Sequence, residues 1–190
     1  MFELTVQLHP SALSTALPTQ TGDDSELETA EAQLMTACEF IADARVADFR
    51  LLCCGEHPWP VDVRTDLSIL LEQLPALLQA LDEGAPSFQL RMYEQGIETV
   101  LAFTRMDGML RIHCEPLLAG GENRFGAHDE VVGVEILVRA VAGVLSNFIE
   151  CCERVCPQLL RRSELDEWRK RVESQLAQLL DGGKRPASRK

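Results

Sequence analysis

Residues 87–115 constrain the fold of this chain more than any other segment. They read SFQLRMYEQGIETVLAFTRMDGMLRIHCE, three stretches of alternating apolar and polar residues separated by turn sequences at 94–96 and 106–108. The second turn contains Asp-Gly, a strong signal for a β-hairpin between alternating stretches. The pattern predicts a three-stranded antiparallel meander. Its apolar side chains share one face, and its polar side chains, which include Arg91, Arg111 and His113, share the other.

A small sheet with one apolar face needs helices to cover it. Runs at residues 2–8, 48–55 and 61–63 predict further strands. We expect the first to join the sheet of the meander, and the second to be a central strand because it is apolar on both faces. The predicted fold is α+β, with a mainly antiparallel sheet of four to six strands that contains the three-stranded meander and is covered by amphipathic helices.

Helical periodicity predicts four helices. The first begins at Ser25, a good N-cap, and runs to Ala44, while the second begins at 65 or 66 and should be kinked or split by Pro75 on its polar face. The third covers about 129–156 and the fourth 163–180. The first half of the third helix is apolar nearly all round. This predicts burial on more than one side, either beneath the sheet and another helix or in a homodimer.

Length and composition favour one domain. The chain has 190 residues, of which 46% are hydrophobic, enough for one sizeable core. We assign residues 1–181 to a single α+β domain and 182–190 to a basic disordered tail. The opening MFELTVQLHP has no basic and apolar signal regions, and Glu135 and Arg139 interrupt the most apolar window. A cytoplasmic protein without a membrane span is expected.

The charge distribution restricts the kind of partner. Residues 1–160 contain 25 acidic residues against 9 arginines, and the whole chain has a formal net charge of −12. A body this acidic repels nucleic acid and anionic membrane surfaces. The expected partner is therefore a basic protein.

The cysteines and histidines form no recognisable reactive motif. Seven Cys and four His are present without a C-x-x-C, and Cys152 and Cys156 have no third or fourth ligand at a customary spacing. His113 and Cys114 are neighbours on a predicted strand, so they point to opposite faces. We predict no catalytic residue, no metal and no cofactor, and we expect the cysteines to be reduced members of the core.

The loop at residues 56–66, EHPWPVDVRTD, is the strongest candidate for a recognition surface. Trp and Arg are the usual anchors of protein interfaces, and Trp59 stands between two prolines that stiffen the loop. We predict that partner binding involves Glu56, Trp59, Asp62 and Arg64. In the alternative interpretation Trp59 packs over the end of the core, residue 65 or 66 caps the next helix, and Asp62 with Arg64 is a solvated ion pair.

The arrangement of residues 48–115 resembles small bacterial immunity proteins of the polymorphic-toxin type. It has a strand, then WPVDVRTDL entering a leucine-rich helix, then YEQGIE and DG turns within a meander. The resemblance does not cover the first and last helices. It implies a cytoplasmic, non-enzymatic α+β protein that binds and blocks a toxin domain.

The sequence therefore predicts a protein-binding inhibitor, immunity-like, that neutralises a cognate toxin by direct binding. Two other classes stay open. A chaperone or adaptor for a secreted effector would share the acidic body and add a homodimer through the third helix. An enzyme of unrecognised class is the third alternative.

Overall fold

The computed structural model describes residues 2–10, 27–95, 97–117 and 129–182. The predicted basic tail lies outside them apart from residue 182, and so does Ser25, the predicted start of the first helix. The described residues form β1 (Glu3–Leu8), α1 (Ala30–Ala44), β2 (Ala47–Leu52), α2 (Asp66–Asp82), β3 (Ser87–Met92), β4 (Thr99–Met106), β5 (Met109–Pro116), β6 (Glu130–Gly133), α3 (Val134–Val155) and α4 (Ser163–Gly182).

The fold is α+β, and the predicted meander is confirmed. Strands β3, β4, β5 and β6 form a four-stranded antiparallel sheet in that order. Gly108 closes the β4–β5 hairpin with φ +81°, a conformation that favours glycine. Phe103 on β4 lies opposite Ile112 on β5, and both are buried. The polar face is confirmed too, since Arg111 and His113 are exposed.

The first two strands form a separate antiparallel sheet, with Val6 opposite Phe49. The expectation that β1 joins the meander, and that β2 is a central strand of that sheet, is therefore wrong. Residues 61–63 are not a strand either. The outer edge of β1 is closed by α3, where the Asn147 side chain donates a hydrogen bond to the Val6 carbonyl at 2.7 Å. Packing against this helix replaces pairing with another strand.

The core lies between the helices and the apolar faces of both sheets. Leu67, Leu71, Leu74 and Leu78 of α2 are fully buried. Pro75 is also buried, and α2 continues through it as one helix of 17 residues, so its predicted place on the polar face is wrong. The carbonyl of Pro75 accepts a hydrogen bond from Gln175 of α4 at 3.1 Å. Neighbouring helices therefore enclose this part of α2.

Two helix starts differ from the sequence predictions. Helix α1 begins at Ala30, and the Thr29 side chain accepts a hydrogen bond from the Ala32 N–H. Helix α3 begins at Val134 because residues 130–133 pair with β5 as β6. Ile136 is 55% exposed and Leu137 only 1%, so α3 buries one face within a single chain. Burial of its other side in a homodimer stays a prediction. Among the residues described, every helix is too short or too polar to cross a lipid bilayer.

Candidate functional site

The loop that connects β2 to α2 holds the predicted site residues, but its tryptophan faces inward. Trp59 is 3% exposed, and its indole N–H donates a hydrogen bond to the Cys53 carbonyl at 3.0 Å. Its backbone N–H donates to the Leu51 carbonyl at 2.7 Å. The prediction of an exposed aromatic anchor is therefore wrong. Trp59 packs over the end of the core, as the alternative interpretation proposed, and fixes the loop from inside.

The carboxylates of Asp62 and Asp66 each accept a backbone hydrogen bond and so stabilise the turn into α2. The Asp62 carboxylate accepts from the Thr65 backbone N–H at 2.7 Å, and Asp66 accepts from the Asp62 backbone N–H at 2.8 Å. The first bond satisfies the N–H of Thr65, the N-cap residue of α2, and the second satisfies the N–H of Asp62 in the loop before it. Burial raises the pKa of Asp66 to about 6, although the hydrogen bond from Asp62 opposes that rise. Asp62 itself is exposed, so one side chain both caps the helix and faces solvent.

Arg64 and Glu56 are exposed on the outer side of the same loop. The Arg64 guanidinium pairs with Asp43 near the end of α1, rather than with Asp62 as the sequence suggested. This ion pair and its hydrogen bond raise the pKa of Arg64. Three of the four predicted partner-binding residues, Glu56, Asp62 and Arg64, therefore face solvent on a loop whose backbone is held by the core.

An open cleft of about 480 Å³ separates this loop from β2. Its lining includes polar residues from the end of β1, the end of α1, β2 and the loop: His9, Arg45, Asp48, Arg50 and Asp62. Ala42, Ala47, Phe49, Val61 and Val63 complete the wall. The cleft exists because the loop forms a backbone hydrogen bond with β2 at Leu51 and then separates from it.

The outer backbone edge of β2 borders this cleft. In an antiparallel pair, successive residues alternately face the partner strand and face away from it. Leu51 faces away, because its carbonyl accepts from Trp59, and Val46 faces β1, because its carbonyl accepts from the His9 N–H at 2.8 Å. Phe49 and Ala47 therefore present their backbone groups to the cleft. Among the described residues, no hydrogen bond reaches those groups.

Two hydrogen-bond acceptors hold His9 at one end of the cleft. Its Nδ1 lies 2.9 Å from the Arg45 carbonyl oxygen and its Nε2 lies 2.9 Å from the Asp48 carboxylate. Both neighbours are acceptors, so the imidazolium, which donates from both nitrogens, fits the site best. The Asp48 hydrogen bond and then the Arg45 carbonyl raise the pKa of His9. Both ring nitrogens of His9 are therefore engaged within the protein.

Arg45 and Arg50 supply the remaining positive charge of the cleft. Both side chains are exposed, and neither forms an ion pair with a residue in the described part of the chain. Asp48 is already paired with His9, and Asp62 is hydrogen-bonded to Thr65. The cleft therefore offers two guanidinium groups without an ion-pair partner among the described residues, on a body that carries a large excess of carboxylates.

A second group of reactive residues lies beneath the sheets. The sulfur atoms of Cys53, Cys54 and Cys114 lie within 4.8 Å of one another, and all three residues are buried. Cys54 and Cys114 form a disulfide that joins the end of β2 to β5, so the expectation that every cysteine is reduced is wrong for this pair. The other five cysteines are free and buried, as expected. Burial raises the pKa of Cys53 to about 12, which keeps its thiol protonated and weakly nucleophilic.

Comparison with known protein families, with characterised proteins and with solved structures found no match to this chain. The site is therefore defined by its own geometry. Sequence reasoning identified one wall of the cleft but missed His9, Arg45, Asp48 and Arg50. A signal was available: Arg45 and Arg50 are the only Arg or Lys residues among the first 60, and they lie just before and within the strand that precedes the loop.

Proposed function

We propose that this chain is a non-enzymatic, protein-binding inhibitor of the immunity type, which acts in the cytoplasm and neutralises a toxin domain by binding it. The observation that carries the proposal is the fixed, solvent-facing loop beside an open cleft. Trp59 anchors the loop internally, while Glu56 and Arg64 remain exposed on it. A surface that is ordered before binding loses little conformational entropy in a complex.

The chemistry of the cleft favours binding over catalysis. Both ring nitrogens of the histidine that lines it are hydrogen-bonded within the protein, and its arginines are permanently charged. Such groups recognise a partner without exchanging protons with it. Residues 1–160 contain 25 acidic residues and only 9 arginines, and the resulting negative field attracts a basic partner by long-range steering. Overall charge then affects the rate of encounter, and the cleft determines which partner stays bound.

A chaperone or adaptor for a secreted effector is the second candidate function. It is favoured by three exposed apolar side chains near the end of the four-stranded sheet, Met109, Val131 and Ile136. Ile136 and Met109 lie side by side over Gly133: a methyl group placed at Gly133 would lie 3.7 Å from Ile136 and 3.9 Å from the Met109 sulfur. Apolar surface of this kind suits a homodimer or an unfolded client.

Capture of the partner tests the proposed function. Tagged parent protein is used to capture binding proteins from the native cell, beside the variants Arg50→Gln and Arg64→Gln. Arg139→Gln is the matched control, because Arg139 is an exposed arginine on α3, distant in sequence from the loop. We expect one basic protein to be retained by the parent and the control and lost from the two variants. The captured protein should also be toxic when expressed alone and harmless when co-expressed with the parent.

Two results would contradict the proposal. If the retained protein is equally abundant with all four baits, the loop and cleft are not the contact surface. If the retained protein is harmless when expressed alone and is instead exported, the chaperone function replaces inhibition.

A further inference from the structure

The protein closes two of its strand edges with amide side chains. Gln73 of α2 accepts a hydrogen bond from the Arg91 N–H at 2.9 Å and donates to the Arg91 carbonyl at 3.0 Å, which blocks the outer edge of β3. At the outer edge of β1, Asn147 donates one hydrogen bond to the Val6 carbonyl. Exposed strand edges invite pairing with other chains, and proteins usually cover them.

The outer edge of β2 is treated differently. Its last part is paired through the bond from the Trp59 N–H to the Leu51 carbonyl, but Phe49 and Ala47 then face the cleft without a partner in the described part of the chain. Counted as whole residues, Phe49 and Ala47 are 5% and 6% exposed, and both line the cleft, so a ligand would reach their backbone groups through the cleft. In the free protein such groups pair with water, and a ligand strand can take the place of that water.

The side chains around this edge indicate what the ligand carries. Arg50 projects from β2 on the solvent face, and Arg45 lies two residues before the strand. Neither guanidinium has an ion-pair partner among the described residues, whereas Asp48 between them is engaged by His9. In antiparallel sheets, oppositely charged residues on neighbouring strands stabilise the pairing. A strand added beside β2 would therefore place a carboxylate opposite Arg50.

We propose that the cleft binds an extended segment of the partner protein, which adds to the outer edge of β2 by backbone hydrogen bonds to Ala47 and Phe49 and presents an Asp or Glu side chain to Arg50 and Arg45. Strand addition of this kind obtains affinity from the backbone and specificity from alternate side chains. The inference rests on the proposed function, because it names the mode by which that partner is held. A partner that is basic overall carries one acidic residue in the inserted segment.

Hydrogen exchange in the isolated protein provides the first test. The amides of Asp48 and Arg50 face β1 and are hydrogen-bonded in the sheet, whereas those of Ala47 and Phe49 face the cleft. We expect Ala47 and Phe49 to exchange at least about ten-fold faster than Asp48 and Arg50. Equal protection of all four amides would overturn the proposal, because another occupant, such as residues 11–26 of the same chain or a second copy, would already fill the edge.

Synthetic peptides provide the second test. The probe is the pentapeptide Thr-Val-Asp-Val-Thr with blocked ends, titrated to millimolar concentration into isotope-labelled protein. Two matched peptides replace the central Asp with Asn or Lys. A third keeps the Asp and carries an N-methylated Val directly after it. We expect the Asp peptide to shift the amide signals of Ala47 and Phe49 and to bind about two- to five-fold tighter than the Asn peptide. The Lys and N-methylated peptides should bind more weakly, and Arg50→Gln should remove the preference for Asp over Asn.

The outcomes separate this inference from the proposed function. Absence of shifts at Ala47 and Phe49, or binding that ignores both the carboxylate and the N-methyl group, overturns strand addition. If the partner is nevertheless captured and depends on Arg64, the proposed function stands with another binding mode. If the peptides bind as expected but no toxin is captured, strand addition stands and the inhibitor function fails.

Discussion

Replacing Arg45 with glycine should stabilise the protein and weaken its binding at the same time. Arg45 ends α1 with φ 53° and ψ 41°, the left-handed conformation, and its N–H donates to the Ala42 carbonyl at 3.1 Å. Glycine is the usual residue at this position of a helix terminus, because a Cβ atom there costs about 1–2 kcal/mol. Glycine also loses about 0.5–1 kcal/mol through the greater freedom of the unfolded chain. We therefore expect Arg45→Gly to raise the free energy of unfolding by about 0.5–1 kcal/mol.

The assay compares urea unfolding of the parent, Arg45→Gly and Arg45→Ala. The alanine variant keeps the Cβ atom and removes the same exposed guanidinium, so it isolates the backbone effect. We expect alanine to leave the free energy of unfolding unchanged within about 0.5 kcal/mol and glycine to raise the melting temperature by about 2–3 °C. Both variants should bind the partner more weakly. Equal stability of the two variants would refute the strain at Arg45, and unchanged binding would remove Arg45 from the site.

Four further expectations follow from the same structure. Reducing the Cys54–Cys114 disulfide, or changing Cys114 to Ser, should lower the free energy of unfolding by up to about 4 kcal/mol, since the bond closes a loop of 60 residues. Urea unfolding with and without reductant measures this loss. An unchanged free energy of unfolding would mean that the bond contributes nothing to stability. Because the folded pKa of Asp66 is about 6, above the value of 3.8 for an unperturbed Asp, the folded state binds the proton more tightly. Stability should fall as the pH rises from about 4 through 6, by at most about 3 kcal/mol, and Asp66→Asn should abolish that slope. Leu137→Asp should lower the free energy of unfolding by about 3 kcal/mol or more, whereas Ile136→Asp at the neighbouring position of α3 should lower it by about 0.5 kcal/mol or less. Thermal unfolding of both variants measures the difference, and equal effects would contradict the orientation of α3. Association with the partner should slow as salt is raised, in stopped-flow or surface-binding kinetics, and a salt-independent rate would argue against electrostatic steering.

The meander was predictable because both of its signals are local. Alternation over residues 87–115 and the Asp-Gly turn depend on near neighbours, and the observed register follows them. The partner of β1 was not predictable in this way. Whether β1 pairs with β2 or β3 depends on contacts such as Asn147 with Val6, which are 141 positions apart in the chain. No local pattern reports a contact of that range.

The candidate site, too, was predictable only where its signals are local. Loop 56–66 was found from its composition, but the direction in which Trp59 points was not, because an indole flanked by prolines suits both a partner surface and a core lid. The cleft itself arises where two segments separate after the bond between Trp59 and Leu51. Disulfide pairing was equally hidden, since Cys54 and Cys114 are adjacent only after the two sheets pack together. These features belong to tertiary structure.

Hydrogen exchange at the outer edge of β2, measured with and without the captured partner, tests the central claim most directly. Ala47 and Phe49 should exchange quickly in the free protein and become strongly protected in the complex, while Arg50→Gln lowers the affinity. The account is contradicted if these two amides are unaffected by the partner while protection rises instead on the polar face of the four-stranded sheet around Arg91, Arg111 and His113.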